Sequence, residues 1–292
     1  MPWTQLTFTT NAEVAEKLSD LLHDYGAVAV TLKEGGIDEI FEPPIGETPL
    51  WDDTLVVGLF ELNQNIEATI ALLKENLETS NFPAYVESYV DDQDWERAWL
   101  ADFKPMQFGR NLWIVPSEFD PVDKNAVNIF LDPGLAFGTG THPTTALCLA
   151  WLDEHKATGK EVIDYGCGSG VLAIAAAKLG AINISAVDID PQALIATNSN
   201  AEKNNVAEGI KSYMPDDYPE KAADLLLANI LANPLMNLAK HFTELLKEKG
   251  QIVLSGILEE QADDVLEVYS RYFDMQPAIT RDGWVMLQGS KR

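Results

Sequence analysis

The sequence predicts an α/β chain in two parts: a C-terminal doubly wound, Rossmann-like domain and an N-terminal α+β domain of ferredoxin-like pattern. Three observations predict it. From Glu161 onward short apolar runs alternate with helical stretches, as in successive βαβ units. Glycines at 166, 168 and 170 follow the apolar run Val162-Ile163 and precede the helical stretch from Val171, giving strand, glycine turn, helix. Between Trp3 and Val90 the order reads β-α-β-β-α-β.

At 292 residues the chain is long enough for two cores. No apolar run approaches the roughly 18 residues that span a bilayer. The start, Met1-Pro2-Trp3-Thr4-Gln5, lacks the basic-then-apolar pattern of a signal peptide, so a cytoplasmic address is expected. Cys148 and Cys167 are the only cysteines, which excludes a disulfide framework or a cysteine metal cage. His23, His142, His155 and His241 form no HExxH-type pair, and no metal is expected. With 20 Lys+Arg against 46 Asp+Glu the net charge is −26. That field repels naked nucleic acid and favours a basic partner. The acids spread over the whole chain, which also fits a simple solubility role.

Trp3 to Thr9 alternate as a half-buried strand, with Thr4, Leu6 and Phe8 on one face. Thr10 to Glu13 read as a capping box, and Val14, Leu18, Leu21 and Leu22 form the stripe of a helix that stops near Gly26. A strand over Ala27 to Leu32, the proline loop 42–46, a strand over Thr54 to Phe60, a helix over Ile66 to Leu77 and a strand over Ala84 to Val90 complete residues 1–91. Residues 92–125 read as a connection. In it Trp95, Trp99 and Phe103 share a helical face, a packing pattern, and a strand runs from Gly109 to Pro116.

Residues 126–292 form the second domain. After a strand over Ala126 to Leu131 comes a loop rich in glycine and threonine, from Asp132 to Thr145. Its hydroxyl density marks a ligand loop rather than a plain helix cap. Pro143 fits the first turn of the helix that follows, where its missing N–H costs nothing. Strands then end near Asp164, Asp188, Met214, Asn229 and Ile257, each but the short one at Met214 followed by a helix, and Trp284 to Gly289 closes the chain as a strand. Ligands of such sheets bind beyond the carboxyl ends of the strands, where Asp164, Asp188 and Asn229 all stand.

The dinucleotide fingerprint G-x-G-x-x-G fails, because the third glycine position holds Val171. Asp164, two residues before the first glycine, suits a cation better than a pyrophosphate. Asp188, about twenty residues after the turn, suits ribose hydroxyls. An ammonium at one end and a ribose at the other describe S-adenosylmethionine. A helix cap near Pro191 is better supplied by Asp190 than by Asp188.

The stretches Asp164 to Gly170 and Val187 to Pro191 resemble motifs I and II of class I S-adenosylmethionine-dependent methyltransferases. The loop from Leu131 to Thr145, Ala228 to Ala232 and Trp95 to Trp99 resemble, more narrowly, the bacterial ribosomal protein L11 methyltransferase family (PrmA type), over the full length. The resemblance implies trimethylation of the α-amine and lysine side chains of a small basic ribosomal protein. It also implies an N-terminal domain that grips the substrate and swings so that different amines reach one site. Carried over, it implies cofactor contacts at Thr145, Gly166, Asp188 and Asn229. Geometry adds Gly168, and Asp164 as an ammonium partner through water or backbone.

No catalytic base stands out. His142 lies beside the loop and fits a structural role better. Asn229-Ile-Leu-Ala departs from the Asn-Pro-Pro-Tyr that resembles enzymes acting on planar nitrogens, which argues against such targets. A monomer acting on L11 is expected, with no nucleic acid and no membrane bound. Two alternatives stay open: a class I methyltransferase for another protein or small molecule, and a non-catalytic cofactor-binding module.

Overall fold

Why the second half folds as a sheet covered on both faces is visible in its alternation. The computed structural model describes residues 3–36, 51, 53–77, 79, 81–90, 104–132 and 142–292. The chain divides into two compact units, Met1–Ala98 and Trp99–Arg292.

In the first unit the order is β1 (Trp3–Thr10), α1 (Ala12–Asp24), β2 (Ala29–Glu34), β3 (Thr54–Glu61), α2 (Ile66–Asn76) and β4 (Ala84–Val90). The sheet order is β2-β3-β1-β4, with every pair antiparallel. Period-two patterning puts Leu6, Phe8, Val56 and Phe60 on one face, where Ala15, Leu18 and Leu22 of α1 and Ile70 and Leu73 of α2 cover them. One local expectation is corrected. Thr10 is not the cap of α1, because β1 runs through Thr10 in register with Thr54. Asn11 caps instead, its Oδ1 accepting from Val14 N at 3.0 Å. The proline loop 42–46 and the aromatic face of Trp95, Trp99 and Phe103 lie outside the described residues.

The second unit opens with a three-stranded sheet of β5 (Met106–Phe108), β6 (Leu112–Val115) and β7 (Val127–Phe130). Then come α3 (Pro143–His155), β8 (Glu161–Tyr165), α4 (Val171–Lys178), β9 (Asn183–Val187), α5 (Pro191–Lys203), β10 (Ile210–Tyr213), β11 (Ala223–Asn229), α6 (Ala232–Glu244), β12 (Leu246–Leu258), α7 (Ala262–Tyr269), β13 (Phe273–Met275), β14 (Ile279–Arg281) and β15 (Trp284–Lys291). The main sheet runs β10-β9-β8-β11-β12-β15-β13, with β14 also pairing β15. Its first five strands are parallel, and β15, β13 and β14 add antiparallel pairs. The short β13 and β14 are absent from the sequence reading because three-residue strands carry no periodic signal.

Neighbouring residues of the central strands enter opposite cores. Val162, Leu225, Leu227, Val253 and Met286 join the cluster under α3 and α4. Ile163, Leu226, Ala228, Leu254 and Leu287 join the cluster under α6 and α7. Burial on both faces makes these strands read as continuous apolar runs. Phe108, Leu112 and Ile114 from the stretch read as a connection also belong to the first of these cores. Among the described residues no helix is long and apolar enough to cross a membrane.

Candidate cofactor and methyl-transfer site

The carboxyl edge of the sheet gathers the glycine turn and the side chains that the sequence singles out. Gly166 N and Cys167 N donate to Val187 O at 2.7 and 3.1 Å, fastening the turn to the end of β9. Gly166 has φ of 78°, a left-handed conformation costly for any residue with a Cβ. Gly168 N donates to Asp188 Oδ2 at 2.9 Å, and Asp190 N donates to Asp188 Oδ1 at 3.0 Å. Asp188 therefore spends one lone pair of each oxygen on the protein and keeps others for a ligand. Asp190 caps α5 through Gln192 N at 2.9 Å, as expected.

Asp164 lies deeper than a surface ligand group. It is 1% exposed, on β8, and its Oδ2 accepts from Ala173 N in the first turn of α4 at 2.9 Å. Gly170, the N-cap of α4, has no side chain to give, so Asp164 supplies the cap from the neighbouring strand. Burial pushes its carboxyl up to about 7; the Ala173 N–H opposes this and the nearby Asp188 charge adds to it. Asp164 Oδ1 is buried without a hydrogen-bond partner among the described residues.

On the other side, His142 caps α3: its Nδ1 pairs with Thr144 Oγ1 at 2.7 Å, and its ring packs edge-to-face on Trp284 at 4.7 Å. Thr145, fully buried in the first turn of α3, accepts from Asn229 Nδ2 at the end of β11, 3.1 Å away. Asn229 Oδ1 is buried and has no partner among the described residues. Two pairs thus form, Thr145 with Asn229 and Gly168 with Asp188, while Gly166 and Asp164 hold the base of the turn. The loop residues 133–141 lie outside the described residues; at the end of β7 the Asn204 carboxamide accepts from Phe130 N at 2.8 Å and donates to Phe130 O at 2.7 Å.

Several supporting residues escape a sequence reading. Thr197 Oγ1 donates to Gly168 O at 3.1 Å, and Asn200 Nδ2 to Ser169 O at 2.9 Å, so one face of α5 holds the back of the glycine turn. Polar residues three apart after the Asp190 cap were the available signal. Cys148 and Cys167 are both buried thiols. Burial raises both, with the Asp164 charge adding to it, Cys148 to about 12. Among the described residues no cluster suited to a metal ion occurs.

Comparison with known proteins follows the same lines. The family described as ribosomal protein L11 methyltransferase (PrmA) matches residues 2–292. Ribosomal protein L11 methyltransferases of Shewanella baltica strains OS155 and OS185 are 50% and 51% identical to this chain over 294 residues, with all of both chains covered. A crystal structure of ribosomal protein L11 methylase from Lactobacillus delbrueckii subsp. bulgaricus is 34% identical, with a TM-score of 0.60 over 65% of this chain and 100% of that one.

Proposed function

The chain belongs to the ribosomal protein L11 methyltransferase family, and from that premise we propose that it transfers methyl groups from S-adenosylmethionine to amino groups of L11, at lysine side chains and at the N-terminal α-amine. The observation that carries this reading is identity of 50% across the whole of both chains. A chain of this acidity, −26, also attracts a basic protein substrate.

The residues fit the cofactor. Gly166 and Gly168 offer main chain that no Cβ obstructs, and Asp188 keeps acceptor capacity for two ribose hydroxyls. Thr145 and Asn229 form the facing pair. Asn229 Oδ1 and Asp164 Oδ1, both buried and unpaired among the described residues, are acceptors that donors of a ligand would satisfy. We assign Asp164 to the ammonium end, through water or backbone, since its carboxylate already caps α4.

When bound, S-adenosylmethionine supplies an electrophilic methyl on a sulfonium. The chain's task is to deliver a neutral amine in line with it. A lysine of pKa near 10.4 is neutral in only about one molecule in 2,500 at pH 7, a cost of about 4.6 kcal/mol. Desolvation in an apolar site and the adjacent positive charge both lower that pKa. Asn229 Oδ1 would accept from the N–H of an amine that still carries one and so orient it, and positioning would contribute several kcal/mol more. The proton lost from the ammonium leaves to solvent before transfer, so no side chain serves as base. His142 Nδ1 is engaged with Thr144 as a cap.

Residues 1–91 recognise the substrate and 126–292 carry the transfer, joined by 92–125, whose Phe108, Leu112 and Ile114 already pack into the second unit's core, in a monomer acting in the cytoplasm without direct nucleic-acid contact. Incubating the purified chain with labelled S-adenosylmethionine and purified L11 tests the reading. Label on lysines and on the α-amine is expected. No label, with cofactor binding intact, overturns it.

A further inference from the structure

Ile230 is the first residue past β11, directly after Asn229, and it is wedged between Gly166, in the turn after β8, and Gly256 of β12. An ideal Cβ on Gly166 would stand 2.1 Å from Ile230 Cγ2. An ideal Cβ on Gly256 would stand 2.2 Å from the Ile230 carbonyl oxygen, 2.7 Å from its carbonyl carbon and 3.1 Å from its nitrogen. The first glycine makes room for the side chain and the second for the main chain.

Gly256 sits in a local irregularity of β12. The β11–β12 ladder ends with Asn229 opposite Ser255, so Gly256 is the next residue to meet the chain leaving β11. On the other edge of β12 the pairing with β15 shifts between Leu254 and Ile257. Ser255 Oγ bridges that shift by donating to Val285 O at 3.3 Å. Gly256 has φ of 86°, a conformation that turns the strand toward Ile230.

Ile230 also packs against the core under α6 and α7. It precedes α6, whose N-cap, Leu231, makes no side-chain capping bond. Four residues on stands Pro234, which has no N–H to offer the Ile230 carbonyl. The turn is therefore set by shape, by the two cavities the glycines leave.

We propose that Gly256 is a positioning residue for methyl transfer: with Gly166 it forms the notch that seats Ile230 and thereby aims the Asn229 carboxamide at the incoming amine. The proposal rests on the reading of Asn229 as the amine acceptor. Gly256 touches neither cofactor nor substrate and acts through Ile230.

Gly256→Ala must push the Ile230 main chain aside. A displacement of about 1 Å in a site of this kind costs about 100-fold in rate. The expected result is a fall of about that size in kcat for L11. KM for L11 and Kd for S-adenosylhomocysteine should each change by no more than about tenfold, since the Gly168–Asp188 pair is untouched and only the Asn229 contact moves. Ile230→Ala is the gentler companion, adding no clash and emptying the Gly166 side of the notch; a kcat loss on the order of tenfold with a clearly smaller change in Kd is expected. Should Gly256→Ala fail to fold, Ile230→Ala decides alone. Wild-type kcat in folded variants, or a Kd that rises in step with the loss of kcat, overturns the notch. Absence of transfer by the wild-type protein in the same assay overturns the functional reading as well.

Discussion

Asn229 Nδ2 donates to Thr145 Oγ1 across 3.1 Å, joining residues 84 positions apart at the end of β11 and the first turn of α3. Because the amide nitrogen is spent there, the orientation of the carboxamide is fixed and Oδ1 is left without a donor among the described residues. Thr145→Val keeps the shape and removes the acceptor. Leaving a buried N–H unpaired costs about 1–3 kcal/mol. We expect S-adenosylhomocysteine affinity to fall by about tenfold and kcat to fall with it, measured by calorimetry and by label transfer. Equal affinity and rate in the variant would detach Thr145 from the site.

Asp188 links the glycine turn to the start of α5 by accepting from Gly168 N and Asp190 N. Hydrogen bonds to a charged acceptor contribute about 1.5–3 kcal/mol each. Asp188→Ala removes both of these and the proposed ribose contacts, so cofactor Kd should rise by at least about 100-fold. Unchanged affinity would remove Asp188 from the cofactor site.

Asp164 predicts a pH effect of unusual sign. Its folded carboxyl holds a proton up to about pH 7, raised by burial, whereas the unfolded carboxyl releases it near 3.9. Between those values the folded state binds more protons, so stability contributed by this group falls as pH rises, by up to about 1.4 kcal/mol per unit. Asp132, Asp153 and Asp224 shift downward, where paired lysines and backbone N–H groups outweigh burial, and their dependence lies below about pH 4. Melting curves of the cofactor-free protein from pH 4.5 to 7.5 should therefore flatten in Asp164→Asn. Parallel curves for variant and wild type would count against it.

Removing residues 1–91 should leave cofactor binding near its original strength while L11 methylation is lost. Both cores of the second unit are built from residues beyond Met106, so no core side chain is removed from them. Transfer to L11 by the shortened chain at the full rate would mean that recognition resides elsewhere.

How far the sequence speaks depends on whether a feature is local or long-range. The glycine turn, the Asp190 cap and the strand-end positions of Asp164, Asp188 and Asn229 follow from neighbours in the chain, and all were legible. Asp164 is the instructive case: its place on a strand end was clear, but its role as a helix cap for Ala173 depended on Gly170 lacking a side chain. Thr197, Asn200 and Gly256 act across 26 residues or more, and a sequence offers them only as two polar residues on a helix and one glycine inside an apolar strand. The capping box at Thr10 failed for the opposite reason: a good local motif yielded to the β1–β3 ladder, which claimed Thr10 for the sheet.

Cys148 and Cys167 carry thiols that burial and the Asp164 charge hold in the protonated form at neutral pH. Only the thiolate attacks disulfides and alkylating reagents. The pair is thus a silent clock inside the molecule: modification of Cys167 counts the moments when the cofactor turn comes open, and modification of Cys148 counts openings of the core under α3.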